Sequence, residues 1–129
     1  MILCTIHPPT FSIYVLGLVL EWIDSLGGLE VMQKKNQEKA QLLYDYLDQT
    51  DFYQTHSDAD NRSIMNVTFT CPNKDLDAKF VKESIAAGMS NLKGHRSVGG
   101  IRASIYNAMS LEGVETLLAF MKKFEEENK

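Results

Sequence analysis

A His, two Arg and three Gly lie close together in residues 93–107, KGHRSVGGIRASIYN. Glycines let a backbone turn tightly and bring its N–H groups near a ligand. His95 and Arg96 add cationic donors at the same turn, and this combination suits a phosphate or a carboxylate. The residues are equally typical of a Gly-rich hairpin whose cations are solvated or paired with acidic neighbours. Composition alone leaves both interpretations open.

A strand must follow this turn and position a further cation. The alternating pattern of residues 100–106 predicts a strand whose odd-numbered residues from Ile101 to Ile105 point inward. Its even-numbered residues, from Arg102 to Tyr106, share the opposite face. Arg102 is therefore expected to stand at a fixed point near the His95-Arg96 pair.

Length and charge exclude several classes of protein. The 129 residues, 44% of them hydrophobic, suit a single domain over residues 1–129 with its own core. The net charge of −4 argues against nucleic-acid binding. The start has no basic leader, and the apolar run of residues 13–20 is too short to span a bilayer. We therefore expect a cytoplasmic protein that binds neither nucleic acid nor membrane.

The remaining reactive side chains favour no further chemistry. Cys4 and Cys71 lack CxxC spacing, so reduced thiols are the default and a single disulfide is the alternative. Cys71 ends a strand and is expected in the core. His56 lies in a polar loop with Asp58 and Asp60, a composition usual for a solvated turn. We expect no metal site, and no serine has partners for a hydrolase triad.

Periodicity and capping residues predict four helices and a small sheet. The helices are expected to follow a cap at Thr10, to cover residues 29–49, to run from a cap at Asp75 to about residue 87, and to begin at Ser110. Strands are predicted over residues 1–6, 52–55, 62–71 and 100–106. Residues 33–39 are predicted to be solvated, and residues 125–129 are predicted to be a fraying polar end. This order indicates an α+β or α/β two-layer sandwich, with a short, mainly antiparallel sheet covered by helices.

The first predicted helix is apolar nearly all round, with Glu21 and Asp24 its only charges. A helix of this kind needs cover on several sides. We expect residues 1–25 to pack on another domain or on a partner subunit, and we expect a homo-oligomer. A central core helix is the alternative.

Three segments together resemble one enzyme family. They are GHRSVGGIRASIYNAMSLEGV, PPTFSIYVLGLVLEWI near the start, and Arg62-Ser63 leading into MNVTF. From Pro8 onward the chain resembles the C-terminal part of the phosphoserine aminotransferases, which are class V, fold-type I transaminases dependent on pyridoxal phosphate. The resemblance implies the small C-terminal domain of a homodimeric enzyme.

The resemblance also implies a reaction and the roles of three residues. In serine biosynthesis the family moves an amino group between glutamate and 3-phosphohydroxypyruvate, giving phosphoserine and 2-oxoglutarate. Carried over by position, His95 and Arg96 bind the substrate phosphate, and Arg102 binds the α-carboxylate through its guanidinium fork. No catalytic residue is expected in this chain.

Two departures from the family pattern limit what the chain is expected to do. The family's large domain and its cofactor lysine have no counterpart here, so we expect a fragment that is inactive and binds no pyridoxal phosphate alone. The family's Asn-Thr pair, which reaches the neighbouring subunit's cofactor phosphate, is replaced by Ile6 and His7. Only His7 could donate a hydrogen bond there. The alternatives are a free-standing anion- or amino-acid-binding module and an oligomerisation module.

Overall fold

The computed structural model describes residues 8–129. The strand expected at residues 1–6, and with it Cys4 and His7, lies outside the described residues. The chain divides into two compact units, one ending at Lys34 and the other covering Lys35–Lys129. The prediction of one domain over residues 1–129 stays a prediction. Among residues 8–129, no helix combines the length and the apolar character needed to cross a bilayer.

The N-terminal unit contains α1, Thr10–Ser25, whose apolar side chains are mostly exposed. Pro9 precedes the helix, and Thr10 is its first residue, with its hydroxyl donating to the Pro8 carbonyl at 3.1 Å. The prediction that Thr10 caps the helix is therefore wrong by one position. Ile23 is the one buried side chain of α1. The expected apolar surface is thus present on α1, and α2, Gly28–Leu47, begins directly after it.

The C-terminal unit is built on a three-stranded antiparallel sheet in the order β1-β2-β3. Its strands are β1 Gln54–Thr55, β2 Asn66–Thr70 and β3 Ile101–Ser104, and its helices are residues 35–47 of α2, then α3 Lys74–Ala86 and α4 Leu111–Asn128. A short 3-10 helix, Ala59–Asn61, lies in the polar loop before β2. This architecture confirms the predicted α+β sandwich with β2 at the centre of the sheet.

One face of the sheet and the apolar faces of the helices form a single core. Its buried side chains are Ala40, Leu43, Leu47, Phe52, Tyr53, Val67, Phe69, Cys71, Phe80, Leu92, Ile101, Ala103, Ile105, Val114, Leu117, Met121 and Phe124. Phe80 makes edge-to-face contacts with Phe69 and Phe124, whose ring centroids lie 5.7 and 5.1 Å away. Burial of residues 101, 103 and 105 confirms the inward face predicted for β3.

The segment predicted to be solvated and the end predicted to fray are both partly buried instead. In the middle of α2, Asn36 and Lys39 are only 2% and 3% exposed. At the other end of the chain, α4 continues to Asn128, and Glu125 is buried. Both predictions are wrong for the same reason. Lys39, Glu125 and the amide nitrogen of Asn36 meet hydrogen-bond partners that are distant in sequence, which offsets the penalty for burying them, whereas Asn36 Oδ1 has no partner within residues 8–129.

The ends of the elements differ from prediction where short polar side chains bind the backbone. The Asn73 side chain, not Asp75, caps α3 by accepting from the Leu76 N–H at 2.9 Å. The predicted strand of residues 62–71 shortens to β2 because the Ser63 hydroxyl accepts from two following backbone N–H groups at 3.1 Å each. Ser110 caps α4 as expected, accepting from the Gly113 N–H at 3.1 Å.

Candidate anion-binding site

The Gly-rich stretch forms a tight turn that leads into β3. Lys93 and Ile101 form an antiparallel bridge, and the Gly94 N–H donates to the Gly100 carbonyl at 2.8 Å. Inside the turn, the His95 carbonyl accepts from the N–H groups of Val98 and Gly99 at 3.0 and 2.7 Å. These contacts confirm the antiparallel pairing predicted on either side of the turn.

Two of the glycines in this turn are sterically required. A Cβ atom at Gly94 would lie 2.0 Å from the carbonyl oxygen of Gly99. Gly100 has φ +68°, and a Cβ there would lie 2.9 Å from the carbonyl oxygen of Phe69. The close approach of the backbone segments holds His95 and Arg96 on a compact, defined turn.

The local contacts of His95 determine which ring nitrogen is available to a ligand. Its Nδ1 lies 2.6 Å from the Ser97 hydroxyl oxygen and accepts from the Ser97 N–H at 3.3 Å. An Nδ1 that accepts places the proton of a neutral imidazole on Nε2. His95 and Arg96 are both exposed. In its neutral form His95 therefore offers an Nε2–H donor, and Arg96 is the next residue along the turn.

Arg102 is half-buried on the polar face of the sheet, directly opposite Thr68 in the register. Its backbone N–H donates to the Leu92 carbonyl at 2.8 Å, and this bond attaches β3 to the segment before the turn. Its side-chain Nε is buried and has no hydrogen-bond partner in residues 8–129. A buried N–H donor of a charged group that has no acceptor costs free energy, unless a ligand supplies the acceptor.

The acidic residues near the site do not neutralise its cations. Within the described part of the chain, the ion pairs are Arg62–Asp48, Lys79–Glu83, Lys123–Glu127 and Lys129–Glu125. None of them involves His95, Arg96 or Arg102. Pairing of these side chains with acidic neighbours therefore finds no support within residues 8–129. His95 and Arg96 are exposed, which is what the alternative of a hairpin with solvated cations also requires.

Asn66 is a neighbour of Arg102 that sequence reasoning did not identify. Its side-chain Oδ1 accepts from the Ser104 hydroxyl and from the Tyr106 hydroxyl, at 3.3 Å each. The register pairs Asn66 with Ser104 and Thr68 with Arg102, so these side chains share the polar face. Only the strand register, which the sequence does not specify, brings Asn66 beside β3.

Lys39 is a second residue that sequence reasoning missed. Its Nζ donates to the backbone carbonyls of Ile105, Tyr106 and Met109 at 3.2, 2.8 and 3.0 Å. Burial lowers its pKa. The hydrophilic run of residues 33–39 does not predict this contact, because the acceptors are backbone groups of a distant segment.

Arg62, Cys71 and His56, the other residues noted in the sequence, lie in three different environments. Arg62 forms a two-pronged ion pair with Asp48, at 2.7 and 2.5 Å, and its guanidinium carbon lies 4.6 Å from the centroid of the Tyr44 ring. Cys71 is buried, and burial raises the pKa of its thiol to about 12, which confirms a core role. His56 is exposed, and residues 8–129 contain no cluster of three potential metal ligands.

Residues 7–117 match the aminotransferase class-V family, and the chain belongs to that family. The phosphoserine aminotransferase of Pasteurella multocida is 59% identical over 122 residues, which are 95% of this chain and 34% of that protein. These findings confirm the resemblance noted in the sequence.

Solved structures agree with this assignment. The phosphoserine aminotransferase of Bacillus circulans subsp. alkalophilus matches with a TM-score of 0.92 at 48% identity, covering 96% of this chain and 35% of that one. A phosphoserine aminotransferase from Trichomonas vaginalis with bound pyridoxal phosphate matches with a TM-score of 0.84 at 39% identity, covering 92% of this chain and 34% of that one. The chain thus spans about a third of the length of the relatives that it matches.

The cavity beside β3 does not have the side chains that pyridoxal phosphate needs. A cavity of about 550 Å³ lies beside β3, lined by residues that follow α3 and by the first turns of α4. Its lining carries no lysine and no other charged side chain, whereas the cofactor needs an amine for its aldehyde and donors for its phosphate. The buried amine of Lys39 is already bound to three carbonyls.

Proposed function

We propose that this chain is the substrate-binding part of a phosphoserine aminotransferase, which moves an amino group between glutamate and 3-phosphohydroxypyruvate in serine biosynthesis. The observation that carries the proposal is Arg102 on β3, whose buried Nε has no hydrogen-bond partner and whose side chain forms no ion pair within residues 8–129, next to the Gly-rich turn that carries His95 and Arg96. The 59% identity to the Pasteurella enzyme supports the substrate assignment. We also propose that the chain acts in the cytoplasm.

In this proposal, the two anions of the substrate bind at two separate points. His95 and Arg96 donate to the phosphate from the turn, and Arg102 donates to the α-carboxylate from the strand. A planar guanidinium donates two parallel hydrogen bonds to a carboxylate, so Arg102 fixes orientation as well as position. Glutamate places its side-chain carboxylate where the phosphate of the other substrate binds.

The chain alone is proposed to be inactive. Pyridoxal phosphate supplies the electron sink for amino transfer when it is bound, and an amine of the protein must hold it. The cavity beside β3 offers no amine, so in this proposal the enzyme holds its cofactor with residues that this chain does not contribute. His7, whose family role is not kept, lies outside the described residues. The chain's own part is to bind and orient the two anions.

A chimeric enzyme tests this function. Residues 8–129 would replace the matching C-terminal third of the Pasteurella enzyme, and amino transfer from phosphoserine to 2-oxoglutarate would be measured. We expect an active chimera in which Arg102→Ala lowers kcat/KM by about 10- to 100-fold, since a charge-assisted hydrogen bond contributes about 1.5–3 kcal/mol. Lys122→Ala, an exposed substitution on α4, is the control. A folded chimera without activity would refute the proposal.

A free-standing anion-binding module is the second candidate, because His95, Arg96 and Arg102 all belong to the C-terminal unit. Calorimetric titration of phosphoserine into the isolated chain separates the two functions. Heat of binding that disappears in Arg102→Ala would favour the module. An absence of heat at millimolar phosphoserine would leave the substrate-binding part of a larger enzyme.

A further inference from the structure

The segment that follows β3 is held by a buried cation from α2. Lys39 is 3% exposed, and its Nζ lies within 3.2 Å of three backbone carbonyls, those of Ile105, Tyr106 and Met109. An ammonium group has three N–H donors and no acceptor, so this set of three carbonyls satisfies it completely. In the described part of the chain, Lys39 forms no ion pair with a carboxylate. Within residues 8–129, the ammonium group of Lys39 therefore binds only backbone carbonyls.

A second contact ties α2 to the same segment. The Asn36 side-chain amide donates to the Asn107 side-chain oxygen at 2.8 Å, one helical turn before Lys39. The segment also holds its own turn through the Met109 N–H, which donates to the Tyr106 carbonyl at 2.9 Å. The backbone from Ile105 to Met109 is thus fixed at several points by two neighbouring polar residues of one helix.

This fixed segment continues directly from the strand that carries the candidate site. The Ile105 N–H donates to the Met65 carbonyl at 2.9 Å, which keeps the end of β3 in register with β2. The Tyr106 hydroxyl donates to Asn66 on the polar face, where Arg102 also lies. A shift of residues 105–109 would therefore disturb the hydrogen bond between Tyr106 and Asn66. It would also loosen the end of the strand on which Arg102 lies.

We propose that Lys39 is a positioning residue, whose ammonium fixes residues 105–109 and thereby the polar face of the sheet on which Arg102 lies. Its importance for substrate binding rests on the function proposed above, whereas its effect on the strand end does not. Lys39 does not touch the substrate. It acts through the backbone of the turn.

The experiment compares Lys39→Met with Lys35→Met in the full chain. Methionine keeps the length of the side chain but removes the donors and the charge, and Lys35 is an exposed lysine on the same helix. Hydrogen exchange of individual amides and the NMR signal of the Arg102 Nε–H are measured without ligand. In Lys39→Met we expect exchange at Ile105 and Met109 to accelerate about tenfold or more, as for loss of hydrogen bonds to a charged group, and the Arg102 signal to shift. The amides that pair β1 with β2 and all amides of Lys35→Met should be unchanged.

Two results would overturn the proposal. One is unchanged exchange at residues 105–109 with an unchanged Arg102 signal. The other is an acceleration spread equally over β1 and β2, which a general loss of stability produces. If Lys39→Met fails to fold, Asn107→Ala removes the neighbouring link alone and should give a smaller acceleration confined to the same segment. Because these measurements need no ligand, an inactive chimera would refute the proposed function and leave this inference to be decided by exchange.

Discussion

Gly94 has no space for even a methyl group. A Cβ atom there would lie 2.0 Å from the Gly99 carbonyl oxygen and 2.7 Å from that of Gly100. We expect Gly94→Ala to lower the free energy of unfolding by about 1–3 kcal/mol, because the backbone of the turn must move. Urea denaturation measures this change. Gly17→Ala, where nothing lies within 4 Å, is the control and should be neutral or stabilising by up to about 1 kcal/mol. Equal losses in the two variants would contradict the steric explanation.

The buried carboxylate of Glu125 predicts a dependence of stability on pH. Burial by itself raises its pKa, but hydrogen bonds from Lys129, Tyr46 and Thr50 outweigh burial and hold the pKa below its ordinary value. A carboxyl whose pKa is lower in the folded state contributes stability above its unfolded pKa of about 4.3 and loses it as the pH falls through the folded pKa.

We therefore expect the free energy of unfolding to fall between about pH 5 and pH 3, and Glu125→Gln to flatten this fall. Urea denaturation at a series of pH values measures it. Glu126→Gln removes an exposed carboxylate of the same helix and should leave the slope nearly unchanged. A slope that is identical in Glu125→Gln and the natural chain would show that other carboxylates govern acid stability.

At the scale of the element, the start of α3 depends on one side chain. The Asn73 oxygen accepts from the Leu76 N–H, whereas Asp75 lies in the first turn and acts only through the helix dipole. We expect Asn73→Ala to destabilise the chain by about 0.5–2 kcal/mol, the usual range for a lost cap. Asp75→Ala should cost less, about 0.3–1 kcal/mol, and more at low salt than at high salt. Thermal or urea unfolding of both variants measures these losses of stability. A larger loss in Asp75→Ala than in Asn73→Ala would show that Asp75 is the cap.

The position of Arg102 on β3 depends on contacts from neighbouring segments. β3 contributes Arg102, but its two ends depend on other elements: the Leu92 carbonyl binds one end and Lys39 of α2 the other. A strand of this length has few hydrogen bonds of its own. The geometry of the polar face is consequently a property of the whole C-terminal unit.

At the scale of the whole molecule, α1 predicts self-association. Leu16 and Leu20 are 57% and 54% exposed and lie one turn apart, and burying such a side chain contributes about 1.5–3 kcal/mol. We propose that copies of the chain associate through this helix, so light scattering at micromolar concentration should give a mass above that of one chain. The double substitution of Leu16→Glu and Leu20→Glu should return the mass to one chain. Ile85→Glu on α3, where the side chain is 60% exposed, is the control. A single-chain mass for the natural sequence would refute the proposal.

The sequence by itself determined the class of fold and which residues form the Gly-rich turn. Period-2 alternation set the inward face of β3, because neighbouring residues of a strand point to opposite faces. Helical periodicity located α3 and α4 to within a residue or two, and the match to the aminotransferases followed from local runs. The roles of His95, Arg96 and Arg102 remain predictions.

Only the tertiary structure decided which polar residues are buried and what surrounds Arg102. Lys39 and Glu125 lie in hydrophilic runs, so the sequence does not predict their burial. Their hydrogen-bond partners are far away in sequence. Asn66 joins the polar face through the strand register, and Arg102 forms no ion pair with an acidic side chain of residues 8–129. Local sequence encodes periodicity and turns, whereas the burial of a charge depends on groups that only folding brings together.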